Sequence, residues 1–253
     1  MKNIVFLSSP EPVNMGDGWF ALATPNHFWM QRRFEVFRTL TRGLELETTS
    51  IAEIGCGNGV VVQQFSETYR TTVDGFDLNP NALTHAAARL PNTRFFCYNV
   101  HDRISELSER YDWVILFDII EHLRDPELFL ESVMFHVKRK GYIAVNVPAL
   151  PWFFSKYDRL AGHLRRYTAE TLRESLRRVG LYVTSLSYWG APLLPALVLR
   201  KCLIEQSLDE DVLRRGFAPA SSLTNSILRF VSHFEWTPQE IIGTSVMAIA
   251  TRK

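Results

Sequence analysis

The segment "AEIGCGNGV" places Gly55, Gly57 and Gly59 between an apolar run and a helical one. Glycines there let the backbone turn tightly and let a ligand come close, while the helix behind them offers free N–H groups. The spacing is G-x-G-x-G. Val60 stands where a dinucleotide fingerprint needs glycine or alanine, which argues against a nicotinamide cofactor. Asp77 closes the next apolar run, about 20 residues on, where an acid can accept both hydroxyls of a ribose. Glu53, inside the first run, either caps loop amides or touches the ligand itself.

Two later clusters could act on a second molecule. In "YDWVILFDIIEHLRDP", Asp118, Glu121 and His122 follow a strongly apolar strand pattern. His122 is a candidate general base, since an unperturbed imidazole titrates near neutral pH. Alternatively Glu121 and His122 cap the following turn. In "KYDRLAGHLRRYT", residues 156 to 168, Asp158, His163, Arg165, Arg166 and Tyr167 could bind an anionic or hydroxylated acceptor. Arginine suits phosphate or carboxylate through its planar fork. On a helix the adjacent Arg165 and Arg166 would diverge, so at most one points inward. The plainer alternative is a solvated helix entry in which Asp158 pairs with an arginine. No His, Cys or Asp pair has metal-ligand spacing, so no metal is expected.

These groups need a scaffold, and the apolar periodicity supplies one. Residues 1 to 18 read as irregular, and a helix is expected over 26 to 44. Strands are expected at 50–55, 71–77, 93–99, 111–118, 142–148, 181–189 and 243–253. Helices are expected at 59–69, 79–90, 125–141 and 168–180. Pro126 opens the third of these and Gly141 follows its end, while Thr168 caps the fourth. Strands alternating with helices imply an α/β fold with a mostly parallel, seven-stranded sheet covered by helices on both faces. A helical insertion over 190 to 240 separates the last two strands.

Composition limits the partners. The 253 residues are 46% hydrophobic and 22% charged, as in a globular protein. Net charge is +1, so no overall field invites nucleic acid, and no nucleic-acid partner is expected. Cys56, Cys97 and Cys202 form no disulfide framework, which fits a cytoplasmic location. The N-terminal apolar run is too short for a signal peptide. The run from Ala191 to Leu199 is too short to span a bilayer. The stretch 191–206 turns from apolar to basic and could make a peripheral contact with the inner membrane, or pack on the sheet or in a dimer.

"EIGCGNG" followed by "GFDLNP" and "YDWVILFDIIEHLRDP" resembles the class I S-adenosylmethionine-dependent methyltransferases. The resemblance covers about residues 50 to 190 and the final strand. It implies a Rossmann-like single domain over 1–253 whose last strand is antiparallel, with residues 1–45 as an N-terminal lid. It also implies S-adenosylmethionine as cofactor and S-adenosylhomocysteine as product. Gly55, Cys56, Gly57 and Gly59 would face the methionine part, and Asp77 would hold the ribose. Leu78 would pack on adenine, with Asn99 and Val100 along its edge and Asp118 also at the cofactor. Whether Asn99 or Asp102 reads the adenine amine stays open. Arg33 could meet the cofactor carboxylate, and Trp29, on the same helix face, could cover the site; alternatively this is a plain packing helix. "HFWMQRR", "DRLAGHLRRYT" and "GTSVMAIATRK" are similar to a bacterial subgroup linked to surface glycan or lipid pathways. That implies methyl transfer, at oxygen, to a small-molecule, glycan or lipid-linked acceptor. His122 and His163 are the catalytic candidates, with Asp158, Arg166 and Tyr167 holding the acceptor. The chain would be a monomer or homodimer. The rival readings are a non-catalytic cofactor-binding or membrane-surface scaffold protein, and an NAD(P)-dependent oxidoreductase.

Overall fold

The computed structural model describes residues 3–11, 20, 22–205, 209–219 and 221–253. Parts of the lid segment and Gln206 of the membrane stretch therefore lie outside the described residues.

Eight strands form one sheet: β1 (Ile4–Phe6), β2 (Ile51–Ile54), β3 (Val73–Asp77), β4 (Phe95–Cys97), β5 (Tyr111–Phe117), β6 (Val137–Pro148), β7 (Leu181–Trp189) and β8 (Ser245–Arg252). Their order is β1-β4-β3-β2-β5-β6-β8-β7. All neighbours run parallel except β8, which is antiparallel to both β6 and β7. The expected count of seven is corrected by β1, which falls in the stretch read as irregular. It pairs only with β4, from Ile4↔Phe95 to Phe6↔Cys97. Val5 and Phe6 are exposed, so three edge residues carry no buried-face pattern to find.

The sheet is sandwiched by α1 (Phe28–Leu40), α2 (Val60–Tyr69), α3 (Pro80–Arg89), α4 (Pro126–Met134) and α6 (Ala169–Arg178), with the short α5 (Lys156–Leu160) beyond β6. Consecutive residues of β5 feed opposite cores. Trp113, Ile115 and Phe117 pack with Phe37, Val61 and Phe65, while Val114 and Leu116 pack with Leu130, Leu172 and Leu176. Burial on both faces explains why the strand reads as a continuous apolar run.

One helix is shorter than its sequence pattern. The chain leaves α4 at Met134, and Val137 already pairs with Tyr111. Gly141 is therefore a strand residue. A Cβ there would meet Val137 Cγ1 at 2.8 Å and the Lys138 carbonyl oxygen at 2.9 Å. The basic residues between Val137 and Gly141 belong to an irregularity in β6, which propensity alone reads as a helix tail.

The insertion forms α7 (Leu194–Glu205), α8 (Asp209–Phe217) and α9 (Ser222–Ser232). It is fastened to α1. Asn225 accepts from Phe28 N at 2.9 Å and donates to Asn26 O at 2.9 Å. Arg32 pairs with Glu235 at 3.0 Å. His27 stacks on Phe217, with centroids 4.1 Å apart. Its Nδ1 accepts from Trp29 N, which leaves Nε2–H to donate to the Phe217 carbonyl. Burial lowers the His27 pKa to about 4, so the ring makes this bridge in its neutral form.

Candidate active site

The strand order reverses between β2 and β5, and an open α/β sheet binds its ligand outside the strand ends at such a point. A cavity of about 420 Å³ lies there, within the usual range for a cofactor site. Its floor is the loop after β2. Gly55 has φ +73°, and a Cβ there would sit 2.2 Å from Ile119 Cδ1. Gly57 has φ +53° with nothing within 4 Å of its Cβ position, so the backbone lies bare toward the cavity. Gly59 is not among the lining residues and packs against Ala86 instead. Gly55→Ala combines a left-handed backbone, about 1–2 kcal/mol, with that clash. It should lower the unfolding free energy by at least about 2 kcal/mol in a denaturant titration.

Asp77 ends β3 and reaches back across the loop. Its Oδ2 accepts from Gly57 N and its Oδ1 from Asn79 N, each at 2.8 Å. Burial raises its pKa, and the backbone N–H groups pull it back. Leu78, Asn99 and Val100 line the same cavity. Asp102 is not among the lining residues; its carboxylate accepts from Ser8 Oγ at 2.5 Å. Glu53 lines the cavity and also caps α2, accepting from Val62 N at 3.1 Å. The capping contact matches one of its two sequence readings. Cys56 also lines the cavity, and burial pushes its thiol well up.

Arg33 lies against Asp118 in an ion pair, with its guanidinium 4.8 Å from the Phe117 ring centroid. Its Nε is buried without a partner among the described residues. Asp118 has φ +59°, a strained conformation for a side-chain-bearing residue, and Asn146 holds it by a 2.7 Å hydrogen bond.

A second cavity, of about 290 Å³, adjoins the first. Met30, Asp118 and His122 line both. Glu121, Tyr157, His163, Arg166 and Arg200 line only the second. Glu121 and His122 sit on a single 3-10 turn, Ile120–His122, directly after β5. Burial pushes the Glu121 carboxyl well up. Burial, with His163 beside it, lowers the His122 pKa to about 4. The two imidazoles meet edge to face at 4.8 Å.

The segment 156–168 is a clamp rather than a solvated helix entry. Asp158 is fully buried at the first turn of α5. Its carboxylate accepts from Ser155 N, Ser155 Oγ, His163 Nδ1, Arg166 Nε and Arg166 Nη2, at 2.8 to 3.0 Å. Burial alone would raise its pKa, but His163 and Arg166 hold it well below the usual carboxylate range. Asp158 therefore has no capacity left for an acceptor. Arg166 lines the cavity, though its guanidinium is engaged by Asp158 and by Ala149 O at 2.9 Å. Arg165 turns the other way and donates to the carbonyls of Leu123 and Arg124. Tyr167 is not among the residues lining either cavity. It is buried in the core and its hydroxyl donates to Ile120 O at 3.3 Å. These bonds hold the 120–124 turn, and His163 reaches the cavity from the same segment. Trp29 lines the second cavity and packs on Trp189, with centroids 4.4 Å apart.

Sequence reasoning missed Met30, Tyr157 and Arg200. Arg200 interrupts the apolar run of α7, stacks 4.8 Å from the Tyr157 ring centroid and donates to Gly216 O. That basic interruption was its only signal.

A family model described as a methyltransferase domain matches residues 19–186, about two thirds of the chain. A "Probable S-adenosylmethionine-dependent methyltransferase" of Mycolicibacterium smegmatis is 25% identical over 162 residues, covering 62% of this chain and 60% of that protein. A ubiquinone biosynthesis O-methyltransferase of Nitrobacter winogradskyi is 27% identical over 108 residues, 40% of each chain. The match thus spans 60% and 40% of the length of these curated relatives, under two thirds of each. The fold is similar to that of Haemonchus contortus phosphoethanolamine N-methyltransferase 2, solved in complex with S-adenosyl-L-methionine. The TM-score is 0.59 at 16% identity, over 88% of this chain and 52% of that one. With its glycine loop, its acid at the end of β3 and a family model matched over most of its length, the chain belongs to the methyltransferase-domain family.

Proposed function

We propose that this protein transfers a methyl group from S-adenosylmethionine, held in the larger cavity, to a small-molecule acceptor held in the smaller one. The observation that carries this reading is the shared wall of Met30, Asp118 and His122, which lets two ligands meet end to end. The residues fit the cofactor. Gly57 leaves bare backbone for close approach, and Asp77 presents a carboxylate to ribose hydroxyls. Asn99, Val100 and Leu78 line the place of an adenine. Arg33 retains a buried, unpartnered N–H for the amino-acid carboxylate. When bound, the cofactor supplies a methyl group on a good, neutral leaving sulfur. The chain's own work is then alignment and exclusion of water. The cap fastened to α1 does the excluding, and the polar side of the acceptor cavity does the aligning.

The acceptor is methylated at oxygen and is of the glycan or lipid-linked kind. Leu193, Ala196, Leu197 and Leu228 line its cavity together with Tyr157, Arg166 and Arg200, which suits a molecule with an apolar part and a polar end. The outward-facing Val198, Leu199 and Leu203 of α7 support a peripheral membrane contact. Among the described residues, no helix is long and apolar enough to cross a membrane.

Calorimetry tests the cofactor. S-adenosylhomocysteine should bind the full chain with a Kd between about 1 µM and 1 mM, the range of enzyme substrate affinities. No heat at millimolar ligand, or binding of NAD in its place, would sink the proposal.

A further inference from the structure

The acceptor cavity holds a group that methyl transfer as described leaves unused. Glu121 is fully buried, and neither carboxylate oxygen has a hydrogen-bond partner among the described residues. The cations nearest in effect, Arg33 and Arg166, act on it only through space, because Asp118 and Asp158 engage their guanidinium groups. A buried carboxylate with no partner is costly, and a fold keeps one only where something else satisfies it. Beside it lie two imidazoles.

We propose that Glu121, His122 and His163 form a binding site for one divalent transition-metal ion of the zinc kind, with a coordination position open to the acceptor. The carboxylate oxygen and the two ring nitrogens all lie within 4.8 Å of one another. Tetrahedral zinc bonds of about 2.1 Å put ligand atoms about 3.4 Å apart, so the three would draw in by up to about 1.4 Å on binding an ion. Two histidines and one carboxylate with a vacant fourth position make a known catalytic zinc pattern.

The surroundings are those of a metal site as well. His163 is oriented from behind: Asp158 Oδ1 takes its Nδ1–H at 2.9 Å, which leaves the Nε2 lone pair for an ion. Asp158 is itself fixed by Ser155 and Arg166. Leu164 N donates to Glu121 O at 2.8 Å, so the two ligand-bearing segments are tied together. The sequence gives no hint of this set, because His163 is distant from the Glu121–His122 pair along the chain.

The ion also selects an acceptor class. His122 lies on the wall shared with the cofactor cavity, so an acceptor hydroxyl at the open position would lie next to the methyl donor. Coordination would release the hydroxyl proton to solvent. The oxygen pair would then form the bond to the methyl carbon while the methyl–sulfur pair returns to sulfur. This step rests on the methyl-transfer reading; metal binding itself does not.

Cobalt titration of the EDTA-stripped full chain, followed by visible absorption, tests the site. Wild-type protein should take up one equivalent with d–d bands, and Zn²⁺ should displace it. His163→Ala and Glu121→Gln should each weaken Co²⁺ binding at least about tenfold, the lower end of what even an outer-shell partner contributes. His163→Ala should leave S-adenosylhomocysteine affinity unchanged by calorimetry. Circular dichroism checks each variant, and the near-isosteric Glu121→Gln carries the test if His163→Ala does not fold. Absence of stoichiometric cobalt in the wild type, or equal affinity in the variants, overturns the proposal. Cobalt binding without S-adenosylhomocysteine binding would keep the metal site and remove the methyl-transfer reading.

Discussion

Asp158→Ala is expected to lower the unfolding free energy by about 3–5 kcal/mol, the cost of breaking a buried ion pair from one side. The carboxylate is fully buried and accepts five hydrogen bonds from Ser155, His163 and Arg166. Its removal leaves the Arg166 guanidinium buried, with Ala149 O as its one remaining hydrogen-bond partner among the described residues. A typical domain has about 5–15 kcal/mol in all, so the variant should be folded but fragile. Arg166→Met should cost a similar amount, because it strands the carboxylate. The double variant should cost clearly less than the two singles together, since paired charges can be replaced by apolar groups at little net loss. Urea unfolding with constant m-values measures all three. A loss under about 1 kcal/mol for Asp158→Ala would mean that the segment is a solvated surface after all.

Asp77→Ala is expected to raise the Kd for S-adenosylmethionine about 100-fold or more. A hydrogen bond to a charged group contributes about 1.5–3 kcal/mol, and two ribose hydroxyls would lose one each. Each 1.4 kcal/mol is a factor of ten. Asp77 also organises the loop through Gly57 N, so the loss of binding has a second, indirect source. Asp77→Asn keeps one acceptor oxygen and should fall between wild type and alanine. Calorimetry well below the melting temperature separates affinity from stability. A Kd for the alanine variant within about twofold of wild type would place the ribose elsewhere.

The sheet was legible because its central strands are buried on both faces and so read as uninterrupted apolar runs. The edge strand β1 was not, because its outward residues are exposed and its partner is distant in sequence. The glycine loop and the acid beside it were legible for a local reason. Gly55, Gly57 and Asp77 act through backbone geometry at strand ends, and both signals are short-range. Gly59 shows the limit: its spacing matches the motif, yet it is not among the residues lining the cavity and lies against Ala86.

The acceptor side was less readable. Asp158 and Tyr167 stand in the right segment but point into the protein, and direction is a tertiary property. Arg200 and Tyr157 meet only because the insertion folds back over α5. Spacing rules look along the chain, so they do not connect Glu121 and His122 with His163, whose side chains lie together in space. Family membership and the geometry of the loop after β2 leave the oxidoreductase reading without support.

A crystal structure of the full chain with S-adenosylhomocysteine bears most directly on the two-cavity account. The ribose should lie on Asp77, the adenine between Leu78 and Asn99, and the sulfur at the wall of Met30, Asp118 and His122, facing the second cavity. A nucleoside seated elsewhere, or a sulfur turned away from that wall, would contradict it.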